Sequence, residues 1–249
     1  MTQNIHNTTI PFAHSHNFLK SHQTIKIIAV ALSCIAFFAL QMGFSWAISV
    51  SIASVCCLTT LLSEKFLRTN HEKEINWFSI SNIDKKKLLT TIKIKLLITP
   101  VFIGLLTVLG LNFPQTIISL ICEKNLEILL LVNLIAPIVE EIFFRGFIQE
   151  RIEDITTFII NPVFDSKIKF ISTLATSIIF GFIHIIGSQV PTQIGKFFVF
   201  TSITSLGLTL GLSKNKDLSI LSPISIHLAN NIGITIGLLV FSNNRLHKL

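Results

Sequence analysis

Charged side chains are scarce in this chain. Asp, Glu, Lys and Arg make up 13% of its 249 residues, roughly half the share usual in a soluble domain, and the mean hydropathy is +0.69. Long apolar runs with so few charges exclude an ordinary soluble domain and point to a bilayer as the solvent. Also missing is any C-x-x-C pair or Cys/His spacing suited to a metal. Cys34, Cys56, Cys57 and Cys122 all lie in apolar stretches, where cysteine behaves as a small hydrophobe. There is no basic stripe or aromatic platform of the kind nucleic acid requires, so the net charge of +7 has another reading. Lys and Arg cluster between the apolar runs, where they act as topology signals and meet anionic lipid head groups. Residues 1–24 are polar and include His6, His14, His16 and His22. They lack the charged-then-apolar order and small-residue cleavage site of a signal peptide, and read as a disordered cytoplasmic tail.

Windows long enough to cross a bilayer fall at about 25–40, 44–62, 88–111, 126–148, 170–187 and 197–212. A last apolar stretch, 218–241, is one long span or two half-spans broken near Pro223. Residues 115–122 are too short to cross and read as interfacial. The expected fold class is therefore all-α, a multi-pass transmembrane helix bundle of about 7–8 spans. Most of the Lys and Arg lie in the loops 63–95, 145–169 and 214–217, which the positive-inside rule makes cytoplasmic. The N-terminus is then cytoplasmic as well. Arg245 and Lys248 fall on the wrong side if 218–241 crosses once, and a two-segment ending would repair that.

The familiar motifs of intramembrane proteolysis are absent. There is no H-E-x-x-H (His71-Glu72 has no second histidine four residues on), no G-x-S-G and no G-x-G-D. What is present is a set of ionisable residues inside apolar runs, and such residues are costly enough to be functional candidates by default. In Ile138-Val139-Glu140-Glu141-Ile142-Phe143-Phe144-Arg145, Glu141 and Arg145 stand four apart on one helix face and can form a buried ion pair. That accounts for both without invoking function. It leaves Glu140, which points about 100° away around the helix and needs a partner or a task of its own, such as that of a general base. Pro137, one turn earlier, can kink the helix and make room for water. His184, in Phe180-Gly181-Phe182-Ile183-His184, is as ordinary an interhelical hydrogen-bond partner as a catalytic group, and Gly181 lets a neighbouring helix come close. His227 and Asn231 again share a face, either as polar glue or as donors for a developing oxyanion. Lys196, with Gln189 and Gln193, marks a loop edge.

Taken in order, E-E-x-x-x-R (Glu140, Glu141, Arg145), F-x-x-x-H (Phe180, His184) and H-x-x-x-N (His227, Asn231) resemble the CPBP family of CAAX proteases and bacteriocin-processing enzymes, which includes the Ras-converting endopeptidases of the endoplasmic reticulum. The resemblance covers about 136–232. It implies that Glu140 activates the attacking water, that His184 positions or deprotonates it, and that His227 and Asn231 stabilise the oxyanion. Glu141 and Arg145 would complete the first motif, Arg145 as a structural or substrate-orienting group, and Phe180 would pack the site. The family has been described both as metal-dependent and as glutamate peptidases. Zinc, if present, would take His184, His227 and Glu140, leaving an open fourth position but no separate base unless Glu141 left Arg145. The favoured reading requires no cofactor.

The chain is thus read as a membrane-embedded peptidase domain, 25–249, with its motif-bearing core at 126–241, in the cell (inner) membrane. It would hydrolyse a peptide bond of a membrane-associated or lipid-modified substrate. The alternative is a non-catalytic relative acting in bacteriocin immunity or as a scaffold; a third reading makes the same polar residues the proton relay of a small transporter. The peptidase reading requires Glu140, His184 and His227 within about one water of each other. It also leaves a mismatch in depth. Counted from the span edges, Glu140 and His227 fall in the cytoplasmic half of the bilayer, whereas His184 falls nearer the outer half.

Overall fold

The computed structural model describes residues 78–108, 126–160, 162–187, 190 and 192–246. The tail, the spans expected at 25–40 and 44–62, the interfacial segment 115–122, the four cysteines and Gln189 lie outside the described residues. Among the described residues every regular element is helical. α1 is Lys85–Val108. A long helical segment follows as α2 (Leu126–Leu130), a π-helical stretch Leu131–Ile135, α3 (Ala136–Glu141), a second π-helical stretch Ile142–Ile148, and α4 (Gln149–Ile159). After a 3-10 turn, Pro162–Phe164, come α5 (Asp165–Gly187), α6 (Gln193–Asp217) and α7 (Leu221–Leu246). Four of these helices, Lys85–Leu106, Asp165–Ile186, Gln193–Asp217 and Leu221–Phe241, are long and apolar enough to cross a membrane.

Local chemistry explains where the helices begin. Asp84 caps α1, its carboxylate accepting from the Lys87 amide at 3.0 Å, and Thr192 caps α6, accepting from the Gly195 amide at 3.1 Å. Lys214 and Lys216 occupy the last turn of α6, where a cation meets the negative end of the helix dipole. In the turn to α7, the Ser222 hydroxyl donates to Asp217 at 2.5 Å and the Leu221 amide to the Ser219 hydroxyl at 3.2 Å.

Leu218, between α6 and α7, has φ 49°. This left-handed conformation costs a residue with a Cβ roughly 1–2 kcal/mol, and the side chain is 57% exposed, so little packing offsets the cost. Leu218→Gly is expected to raise the unfolding temperature in detergent by about 1–3 °C. A thermal scan showing a decrease would mean that the exposed leucine contributes more than its backbone costs.

The structure decides one alternative left open by the sequence and corrects one expectation. Leu221–Leu246 is one uninterrupted helix. Pro223 sits in its first turn, where a missing N–H breaks no intrahelical bond, so of the two endings considered the single long helix is the one observed. The segment 145–169, read as a charged loop, is mostly helix. Its charges pair locally, Arg151 with Asp154 at 2.8 Å and Lys169 with Asp165 at 2.7 Å.

Small and self-satisfied residues bring the helices together. The Thr176 hydroxyl donates to the Ser172 carbonyl at 2.8 Å and the Ser177 hydroxyl to the Thr173 carbonyl at 2.6 Å, so α5 can bury these side chains at its interface without orphaned donors. Gly181 of α5 admits α6 as expected: a Cβ there would collide with the Thr204 hydroxyl and meet the Phe200 ring. On α7, a Cβ at Gly237 would lie 2.8 Å from the Ile103 Cβ and 3.0 Å from the Pro100 Cα of α1, a backbone approach that only glycine permits.

Candidate active site

The site lies where the helical segment containing α3 meets α5 and α7. Its floor is an apolar cluster of Phe143, Phe144, Phe147, Ile148, Phe180 and Ile183, all buried. Phe180 is the hinge of the packing: its ring stands 4.8 Å from that of Phe144, 4.4 Å from His184 and 5.9 Å from His227.

Above that floor the ionisable groups form a chain. Glu141 and Arg145 are paired as the spacing predicts, with Nε to Oε2 at 3.3 Å and side-chain exposures of 0% and 1%. Arg145 also donates through Nη2 to the Gly207 carbonyl of α6 at 3.0 Å and places its guanidinium 4.8 Å from the centre of the Phe180 ring. It therefore ties the α3 segment to α6 and to α5 at once. The other oxygen of Glu141, Oε1, meets His227 Nδ1 at 2.8 Å. Gly207 was not singled out in the sequence, because a backbone acceptor leaves no trace in residue type.

Glu140 turns away from this pair, as the helical geometry requires. Its Oε2 lies 3.7 Å from His184 Nε2 and 3.7 Å from His227 Nε2. The three groups required to lie within one water of each other are therefore brought together. Hydrogen bonding orients both imidazoles. His184 Nδ1 lies 2.8 Å from the Phe180 carbonyl, which can only accept, so Nδ1 carries the proton and Nε2 faces Glu140. His227 Nδ1 faces the Glu141 carboxylate, so its Nε2 faces Glu140 too. Separations of 3.7 Å are too long for direct hydrogen bonds and suit a bridging water at about 2.8 Å from each group. The site is half-open, with Glu140 15% and His184 24% exposed at the side chain.

The mismatch in depth disappears with the observed helix ends. α4 carries the first segment down to Ile159 and α5 starts at Asp165. Glu140 lies as far before the one as His184 lies after the other, so the two meet at the same height.

Asn231 stands one turn along α7 from His227, but its amide donates to the Val132 carbonyl at 3.0 Å. Asn230 points elsewhere, accepting from the Thr99 hydroxyl at 3.4 Å. Asn133 and Thr235 form a further polar pair beside the site, with the Thr235 hydroxyl donating to Asn133 at 3.0 Å. Sequence reasoning passed over both, although a lone asparagine within the apolar run 126–148 is a readable signal. The donor set offered to zinc, His184, His227 and Glu140, does not close around an ion. Among the described residues no group of three His, Cys, Asp or Glu is arranged to hold a metal, and 3.7 Å between donors exceeds the roughly 3.3–3.4 Å that tetrahedral zinc imposes.

Four helices fit to span a bilayer and a cluster of carboxylates and imidazoles between them define a helical membrane protein with a buried polar centre. More particularly, residues 123–233 match the family model of type II CAAX prenyl endopeptidases, Rce1-like, a match that supports the resemblance to the CPBP family. Every motif residue from Glu140 to Asn231 falls inside it. No curated protein and no solved structure matches the chain.

Proposed function

We propose that the protein is an intramembrane endopeptidase that hydrolyses a peptide bond of a lipid-modified, membrane-associated substrate, such as a prenylated C-terminal peptide. The observation that carries this reading is the convergence of Glu140 Oε2 on two imidazole nitrogens at 3.7 Å each, inside a segment that matches a prenyl endopeptidase family.

Glu140 takes a proton from a water lodged between it and the two imidazoles, and the oxygen attacks the scissile carbonyl carbon. His184, its Nδ1–H held by the Phe180 carbonyl, offers the Nε2 lone pair that orients the water. Negative charge grows on the former carbonyl oxygen. His227 and Asn231 are the donors assigned to it: Asn231 through the amide N–H not used on Val132, and His227 through Nε2–H as imidazolium, its charge balanced by Glu141. Glu140 then delivers its proton to the leaving nitrogen as the C–N bond breaks, yielding a carboxylate and an amine. No step passes through a metal. The orientation that supports this chemistry has the N-terminus and the basic segments on the cytoplasmic side of the cell membrane.

The test is reconstitution of the full chain in liposomes with a farnesylated C-terminal peptide, the products being read by mass spectrometry. Cleavage is expected, at a rate that a strong chelator changes by less than about twofold. Intact peptide with prenylated and unprenylated substrates alike would favour the non-catalytic reading. Loss of cleavage in chelator, restored by zinc, would overturn the metal-free step.

A further inference from the structure

Just before the site, Leu131–Ile135 winds as a π-helix. In such a turn each carbonyl accepts from the amide five residues on. Pro137 has no N–H, so the carbonyl of Val132 lacks its donor, and an uncompensated carbonyl at bilayer depth is costly. α7 supplies the remedy: Asn231 Nδ2 donates to the Val132 carbonyl at 3.0 Å. One turn further along α7, the Thr235 hydroxyl donates to Asn133 Oδ1 at 3.0 Å, while Asn133 Nδ2 donates to the Leu129 carbonyl at 2.9 Å. Thr235 is buried, so no water competes for its hydroxyl.

These bonds have a counterpart on the other side of Glu140. His227 of α7 bonds Glu141 at 2.8 Å. Thr235 lies as many residues after His227 as Asn133 lies before Glu141, so the two antiparallel segments are pinned at two points with Glu140 between them. A helix held at one point can still roll about it, and a roll of a few degrees moves a glutamate oxygen by several tenths of an ångström.

We propose that Asn133 and Thr235 are positioning residues for Glu140: their hydrogen bond fixes the wide turn against α7 and so holds the Glu140 carboxylate at equal distance from His184 and His227. Neither belongs to the motifs read in the sequence, and neither touches the reacting atoms. The inference rests on the peptidase reading above.

The experiment compares Thr235→Val, which keeps the shape and removes the donor, and Thr235→Ser, which keeps the donor, with the unaltered chain in the liposome assay, alongside thermal unfolding. For Thr235→Val, kcat is expected to fall about tenfold, as a displacement of the Glu140 carboxylate by less than an ångström would produce, with KM within about twofold. Thr235→Ser is expected to recover most of the rate. A purely structural pair would lower the unfolding temperature and leave kcat per folded molecule unchanged, and that result overturns the proposal alone. An unaltered chain that does not cleave overturns it together with the reading on which it rests. Should Thr235→Val fail to fold, Thr235→Cys, a weak donor of similar size, reads the same effect: an intermediate loss of kcat supports the proposal and an unaltered kcat overturns it.

Discussion

Glu140→Gln is expected to lower kcat by about 10²–10⁴-fold, the usual contribution of a positioned general base, while leaving KM and the unfolding temperature nearly unchanged. That is about 3–5 kcal/mol of transition-state stabilisation. The substitution preserves shape and hydrogen-bonding size, and Glu140 makes no ion pair with Arg145 that its loss would break; the carboxylate facing Arg145 belongs to Glu141. Stability and catalysis are therefore assigned to adjacent glutamates, and the two can be separated by experiment. Single-turnover hydrolysis of the prenylated peptide measures the rate, and complementation of a deletion strain measures the consequence. A Glu140→Gln protein that complements fully removes the peptidase reading in favour of a binding role.

Arg145→Ala is expected to have the opposite signature. The guanidinium is 1% exposed and faces Glu141, itself 0% exposed, so its removal leaves a buried carboxylate with His227 as its remaining partner. Breaking such a pair by deleting one partner costs about 3–5 kcal/mol, or about 6–15 °C in unfolding temperature for a chain of this size. Lys at 145 is no remedy, because it restores charge without the planar fork that reaches the Gly207 carbonyl while lying over the Phe180 ring. The double change Glu141→Gln with Arg145→Met is expected to regain much of the stability, since a buried pair replaced as a unit is often near neutral. It should not regain activity, because His227 loses the carboxylate that orients it. Thermal unfolding of the single and double variants checks this; a double variant no more stable than Arg145→Ala would mean that the pair is not the source of the loss.

The parts of the site that depend on residue type and spacing were legible beforehand. A four-residue step put Glu141 against Arg145, and the residue left over, Glu140, is the one that faces the histidines. The parts that depend on backbone were not. Pro137 announced a disturbance, but a kink, a break and a π-helical turn share the same proline, and only the positions of Asn231, Asn133 and Thr235 distinguish them. By its four-residue spacing Asn231 faces the same way as His227. It has a second attachment to the Val132 carbonyl because a wide turn brings that carbonyl within reach. By its charges the run 145–169 reads as a loop, yet Arg151–Asp154 and Lys169–Asp165 are the i,i+3 and i,i+4 pairs of helices that continue past the apolar stretch. Hydropathy marks where a helix enters lipid, not where the helix ends.

The buried pair also bears on how the chain reaches its membrane. Charged groups inside a membrane segment add up to about 2.5–3.5 kcal/mol each to the cost of its insertion, and the apolar run 126–148 carries three of them in its second half, Glu140, Glu141 and Arg145. Its compensating partners, Gly207 on α6 and His227 on α7, emerge from the ribosome several seconds later at roughly 5–20 residues per second. For that interval the helix that holds the future active site is poorly suited to lipid. It must wait at the insertion machinery or enter together with the helices that follow, so the order of synthesis becomes part of how this site is assembled.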